Sequence, residues 1–191
     1  MKATNVSTGK PNVAGAIYRA PKGTALPTDA TSALSDAYKG MGFISDSGVE
    51  NDNEMTVNEI KAWGGVYVYR SLESMNDEFK FAMIETENVE VLKTVYGANN
   101  VTVDAQGNVE VKVIAEDPEE AVWVIDMALR GGVPKRIVIP EGAITAREAI
   151  TYNDSDPIAH GITVSGYPHN EDGYGGATHK EYIAGIGTPS V

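Results

Sequence analysis

Glu59-Ile60-Lys61-Ala62-Trp63-Gly64-Gly65-Val66-Tyr67-Val68-Tyr69-Arg70-Ser71 is the stretch on which the reading of this chain turns. Gly64-Gly65 tolerates the positive φ that a two-residue hairpin turn requires. The stretch therefore predicts a β-hairpin with arms Glu59 to Trp63 and Val66 to Ser71. Just upstream, Asp46-Ser47-Gly48-Val49-Glu50-Asn51-Asp52-Asn53-Glu54 has turn composition and no apolar spacing, which predicts an exposed loop. Downstream, Phe79, Phe81 and Met83 alternate with Glu78, Lys80 and Ala82, the pattern of a strand with one buried face.

The remaining elements follow from the same two periodicities. Val89, Leu92, Val95 and Tyr96 recur at helical spacing between Thr86, a candidate N-cap followed by Glu87 and Glu90, and Gly97 at the C-terminal stop position. Val109, Val111 and Val113 alternate with Glu110 and Lys112. From Glu120 to Leu129, Trp123, Ile125, Met127 and Leu129 fall on one face and Val122 and Val124 on the other, which predicts a central strand covered on both sides. Gly131-Gly132 turns the chain, and further strands are expected over Arg136 to Ile139, Ile144 to Tyr152 and Ile158 to Tyr167. Residues 1–12 are polar and aperiodic and read as an N-terminal arm, leaving 13–191 as one domain. The fold class expected is mainly β, an antiparallel sandwich or barrel with one flanking α-helix and extended loops.

Charge and composition exclude several function classes. The chain of 191 residues has 15 Lys plus Arg against 27 Asp plus Glu, a net charge of −12. Such a surface repels polyanions and anionic membranes, so tight nucleic-acid binding is not expected. There is no cysteine, hence no disulfide, thiolate metal site or cysteine nucleophile. No run approaches the ~20 apolar residues of a membrane helix, and Met1 to Ser7 lacks the apolar core of a secretion signal, so no membrane insertion is expected.

Candidate chemical motifs reduce to structural explanations. His160, between Ile158 and Ile162, is expected to be a buried, hydrogen-bonded histidine. His169, Glu171, Asp172 and His179 lack ligand spacing and lie in a glycine-rich loop. The acidic run Asp46 to Glu54 does not fit a calcium loop. Gly173 to Lys180 lacks Walker spacing, and Gly40-Met41-Gly42 lacks the rest of a dinucleotide fingerprint. No catalytic residue, cofactor or metal is expected. Trp63, Trp123 and the nine tyrosines leave one rival, a carbohydrate-binding or adhesive β-sandwich module, with Trp123 assigned to the core and Trp63 open between core corner and interface.

Gly9-Lys10-Pro11-Asn12-Val13-Ala14-Gly15-Ala16-Ile17-Tyr18, Gly23-Thr24-Ala25-Leu26-Pro27-Thr28-Asp29-Ala30-Thr31, Ile60-Lys61-Ala62-Trp63-Gly64-Gly65, Val91-Leu92-Lys93-Thr94-Val95-Tyr96-Gly97 and Lys135-Arg136-Ile137-Val138-Ile139-Pro140 stand in an order and spacing with a counterpart. Together they resemble the major tail-tube proteins of long-tailed, non-contractile bacteriophages, particularly those of actinobacterial hosts. The resemblance runs from about Gly9 to Tyr182. It implies a non-enzymatic virion protein, made in the host cytoplasm and located in the phage tail. Such a protein self-assembles into stacked hexameric rings through which the genome is ejected. Its implied partners are further copies of itself, the tail tip or initiator, the tape-measure protein and the tail terminator, with DNA passing without specific binding. Lys10, Asp46, Glu50, Asp52, Glu54 and Trp63 are the candidate assembly residues. Glu78 and Glu110, each on the polar side of an alternating strand, are candidates for the channel wall.

Overall fold

The computed structural model describes residues 6–11 and 16–186. In chain order the elements are β1 (Lys10–Pro11), β2 (Ile17–Pro21), β3 (Lys39–Gly40), β4 (Ile44–Lys61), β5 (Tyr67–Met83), α1 (Val89–Tyr96), β6 (Val101–Val103), β7 (Val109–Val111), β8 (Ala121–Leu129), β9 (Val133–Arg147), β10 (His160–Gly166) and β11 (Lys180–Ile183). Nine strands form one antiparallel sheet in the order β3-β2-β8-β9-β10-β5-β4, with β1 on β8 and β11 on β9, while β6 and β7 make a separate ribbon. The protein is mainly β, as expected. No helix among the described residues is long and apolar enough to cross a membrane.

One strand bends the sheet around its core. The first part of β9 pairs with β8 and β11, and its last part, from Gly142 to Arg147, pairs with β10. The β8 ladder is broken where Trp123 faces Ile139 and Ala121 faces Gly142, so Pro140 and Glu141 are looped out at the bend. A side chain at Gly142 would meet Trp123 and Val164 at 2.9 and 3.0 Å, and its carbonyl accepts the Trp123 indole N–H at 3.1 Å. The bend therefore requires glycine. It brings Ile17, Trp123, Ile125, Ile137 and Ile139 into one buried cluster with Phe79, Phe81, Met83, Ile162 and Val164 from the other half, closed by Val91 and Val95 of α1.

The second face of β8 is buried as well, Val122 and Val124 packing with Ala20, Tyr38 and Val138 beneath the 22–38 loop. That loop is fastened by Arg136. Its guanidinium donates to Asp126 at 2.7 and 2.8 Å and to the carbonyls of Asp29 and Ser32 at 3.2 and 2.9 Å. Both ionised side chains are almost fully buried, at 5% and 8% exposure.

Several expected boundaries move. The predicted acidic loop Asp46 to Glu54 is strand, because β4 continues through it to Lys61, bulged between Ile44 and Val49 and paired with β5 from Val49 on. The separate strands around Tyr69 and Phe81 are one strand of 17 residues, and those around Val138 and Ile144 are one strand of 15. The N-cap of α1 is Asn88, whose side chain accepts from the Glu90 N–H at 3.0 Å, not Thr86. The buried stripe of α1 is Val91, Thr94 and Val95, with Gly97 ending it at φ 95°.

Candidate assembly interface

The β4–β5 hairpin is far longer than its turn announces. Its tip is closed by the Gly65 N–H on the Ala62 carbonyl at 3.0 Å and the Ala62 N–H on the Val66 carbonyl at 2.8 Å, with Gly64 and Gly65 at φ 103° and 87°. From Glu50 and Asn76 outward nearly every residue of both strands is exposed, on both faces. About ten residues of strand at ~3.3 Å each carry the tip roughly 30 Å beyond the last buried position, Asp77.

Register divides the hairpin into two unlike faces. Val49, Asn51, Asn53, Met55, Val57 and Glu59 oppose Phe81, Phe79, Asp77, Met75, Leu72 and Arg70. This face continues the core face of β5, but beyond Asp77 nothing covers it: Met55, Val57, Leu72 and Met75 are 62%, 48%, 58% and 45% exposed. At the tip, Lys61 and Arg70 each lie 4.6 Å from the Tyr67 ring, Arg70 pairs with Glu59 at 2.9 Å, and Trp63 is wholly exposed.

The opposite face is polar. Glu50, Asp52 and Glu54 of β4 lie across from Lys80, Glu78 and Asn76 of β5, followed by Thr163 and Ser165 of β10. Lys80 spans two of these carboxylates, at 3.6 Å to Glu50 and 3.2 Å to Asp52, which raises its pKa. The face thus carries four carboxylates, one lysine already neutralised by them, and the part-exposed Ser165, while Thr163 is buried. β4 is an edge strand of 18 residues in this sheet, a long row of backbone donors and acceptors on its outer side.

On the apolar face, the covered part gives way to the uncovered part at a buried polar lock. The Asp77 carboxylate, fully buried, accepts from Asn51 and Asn53 of β4 at 2.8 and 3.1 Å and from Thr178 at 2.5 Å, and pairs with His179 at 2.5 Å. Burial alone would raise its pKa. The hydrogen bonds from His179, Thr178 and Asn51 outweigh that and lower it to about 2.

The structure thus brings Glu50, Asp52, Glu54 and Glu78 together on one face, Glu78 directly opposite Asp52. Asp46 sits in the bulge between Ile44 and Val49, and Trp63 caps the tip. Lys10 pairs with Ala128 beside β8, and the Arg130 N–H donates to Ser7 at 2.8 Å. Residues 1–5 and 12 of the expected arm lie outside the described residues. Glu110 is on the separate β6–β7 ribbon, opposite Thr102 and 3.8 Å from Lys112, so it does not share the face of Glu78. Asp77 was missed: a lone aspartate in an acidic chain signals nothing when its partners lie about a hundred residues away.

The sequence matches the family described as phage tail tube protein over residues 7–174. The chain belongs to that family. It is a structural protein of the phage tail, not an enzyme. No curated protein matches the sequence. Among solved structures, the tail tube protein is similar to the anti-feeding prophage cap, the AFP tube terminating cap, at 9% identity with a TM-score of 0.47, over 96% of this chain and 100% of that one.

Proposed function

We propose that copies of this chain close into hexameric rings that stack into the tail tube of a long-tailed, non-contractile bacteriophage of the actinobacterial type, and that the genome passes through the lumen into the host. The observation that carries the reading is the hairpin: one face apolar and uncovered, the other acidic, and an unpaired edge along β4. A monomer gains nothing from such an element. Ring closure covers the apolar face against a neighbour and pairs the edge strand in a heterologous, rotationally closed contact.

The acidic face is then the channel wall. Carboxylates repel phosphates within the ~8 Å screening length at physiological salt, and the part-exposed Ser165 supplies polarity without charge. Glu78 is the proposed lumen residue. Lys10, the N-terminal arm and Asp46 are proposed for contacts between rings, with the tail tip, tape-measure protein and terminator as the partners at the tube's ends and core. Sedimentation velocity across a concentration series, with and without the tail initiator, tests self-association. The reading expects large, concentration-dependent species, and a strictly monomeric protein at every concentration in the presence of initiator contradicts it.

A further inference from the structure

Exposed apolar side chains gather in two regions that matter for contact between copies. One is the outer hairpin. The other surrounds the C-terminal end of α1, where Val103, Val109, Val113, Ile114 and Tyr152 are 49%, 41%, 72%, 47% and 74% exposed. There Val95, Tyr96, Val113, Ile150, Tyr152 and His160 wall a groove of about 370 Å³. His160 is 94% buried, its ring edge-on to Tyr96 at 5.8 Å, and its Nδ1 has no hydrogen-bond partner. Burial lowers its pKa and favours the neutral ring, whose Nδ1 accepts in the tautomer that carries the hydrogen on Nε2. A buried nitrogen left unpaired is costly in the free chain and is relieved by a donor entering the groove.

The hairpin tip presents that donor. Trp63 is 106% exposed and carries an indole N–H on an apolar body. A cavity of ~150 Å³ already admits a benzene ring, so 370 Å³ holds the indole together with a neighbour such as Val66. Charge agrees. Residues 60–70 contain Lys61 and Arg70 and no carboxylate, in a chain of net charge −12; Arg70 is paired with Glu59 at 2.9 Å, so Lys61 is the cation the tip has to offer. The segments near the groove are the reverse: Glu116 and Asp117 follow Ile114, and 148–156 holds Glu148, Asp154 and Asp156 with no cation, while Glu119 and Glu120 are already paired with Arg19 and Lys22. Arg147, also on the groove, is engaged over Tyr96 at 5.7 Å.

Topology decides whose tip enters. Met83 at the end of β5 pairs with His160 of the groove, whereas Tyr67 at its start follows the tip. Sixteen residues of strand, about 50 Å, separate them. A chain cannot fill its own groove.

We infer that the Trp63 tip of one copy seats in the groove between α1, Tyr152 and His160 of another, the indole N–H donating to His160 Nδ1 and Lys61 meeting the acidic rim. This contact is head-to-tail and links copies along the direction of the hairpin. It rests on the tube reading and gives that assembly a specific joint, with Trp, Tyr and Arg together at the inserted end, the residue types that dominate binding energy at interfaces.

The cysteine-free sequence makes the test clean. Val66→Cys and Thr151→Cys, both at exposed positions that leave Trp63 and Tyr152 intact, are prepared in separate chains, mixed, assembled and treated with a short bifunctional maleimide. The expected product is a covalent dimer that forms only in the mixture, with mass spectrometry locating the link between positions 66 and 151. In parallel, Trp63→Ala is expected to raise the assembly threshold at least about tenfold without altering the melting temperature. Assembly without the 66–151 link, or an unchanged threshold for Trp63→Ala, overturns the joint and leaves the tube standing. Absence of any multimer from the unaltered chain overturns the tube and the joint with it.

Discussion

Replacing Val57 with Glu and Leu72 with Lys separates the hairpin's local structure from its role in assembly. The two residues face each other across the β4–β5 ladder and are 48% and 58% exposed. In the monomer the new carboxylate and ammonium are directly opposite, a pairing that contributes about 0.2–1 kcal/mol and preserves net charge. Monomer stability is expected to stay within ~0.5 kcal/mol of the parent. In the proposed ring the same face is covered. Fully burying a Val or Leu stabilises by about 1.5–3 kcal/mol, and these side chains are about half buried already, so completing the burial is worth about 1 kcal/mol each. Losing both costs about 2 kcal/mol per contact before any desolvation of the introduced ions, and at 1.4 kcal/mol per tenfold the assembly threshold rises at least about 30-fold. Light scattering across a concentration series gives the threshold, and thermal melting monitored by circular dichroism gives monomer stability. A double variant that melts normally and assembles at the parental threshold refutes the claim that this apolar face is covered in the assembly.

Three further outcomes follow from single features. Arg136→Met leaves Asp126 buried and unpaired, a loss of about 3–5 kcal/mol, and releases the 22–38 loop. A melting temperature lowered by roughly 6–20 °C and faster proteolysis in that loop are expected, with Asp126→Leu on the same chain restoring much of the loss. Asp77 has its pKa lowered from 3.8 to about 2 by folding. Its contribution, about 2 kcal/mol, is therefore complete above pH 3.8 and lost as pH falls through 2, and Asp77→Asn should flatten the melting temperature over that window. Asp52→Lys with Glu78→Lys adds four positive charges per chain to the acidic face. The variant should still form tubes but retain DNA at low salt and release it steeply as salt rises; release as fast as the parent would show that this face is not the channel wall.

How far the fold is legible in the sequence depends on how local its causes are. Gly64-Gly65 announces the hairpin tip because positive φ is a property of the residue itself. The two-sided burial of β8 is legible from Val122 to Ile125 for the same reason, since side-chain alternation is intrinsic to a strand. The extent of β4 is not: Asp46 to Glu54 has the composition of a loop, and becomes strand through its ladder to β5 and through Asn51 and Asn53 binding an aspartate on the neighbouring strand. Pro140 reads as a strand end, yet it occupies the bulge where one strand passes from β8 to β10. The candidate channel-wall residues divide likewise. Alternation identifies Glu78 and Glu110 as solvent-facing, but only pairing reveals that Glu78 joins Glu50, Asp52 and Glu54 while Glu110 stands on another ribbon. Asp77 depends on Thr178 and His179, 101 and 102 residues away, and no local pattern encodes that.

Electron microscopy of the purified protein at high concentration tests the central claim most directly. The account predicts hollow tubes of uniform diameter, built from stacked six-fold rings, with the face bearing Asp52 and Glu78 lining the lumen and the Met55, Val57, Leu72 and Met75 stripe covered by a neighbouring copy. Particles without a lumen, or tubes in which that apolar stripe faces solvent, would contradict it.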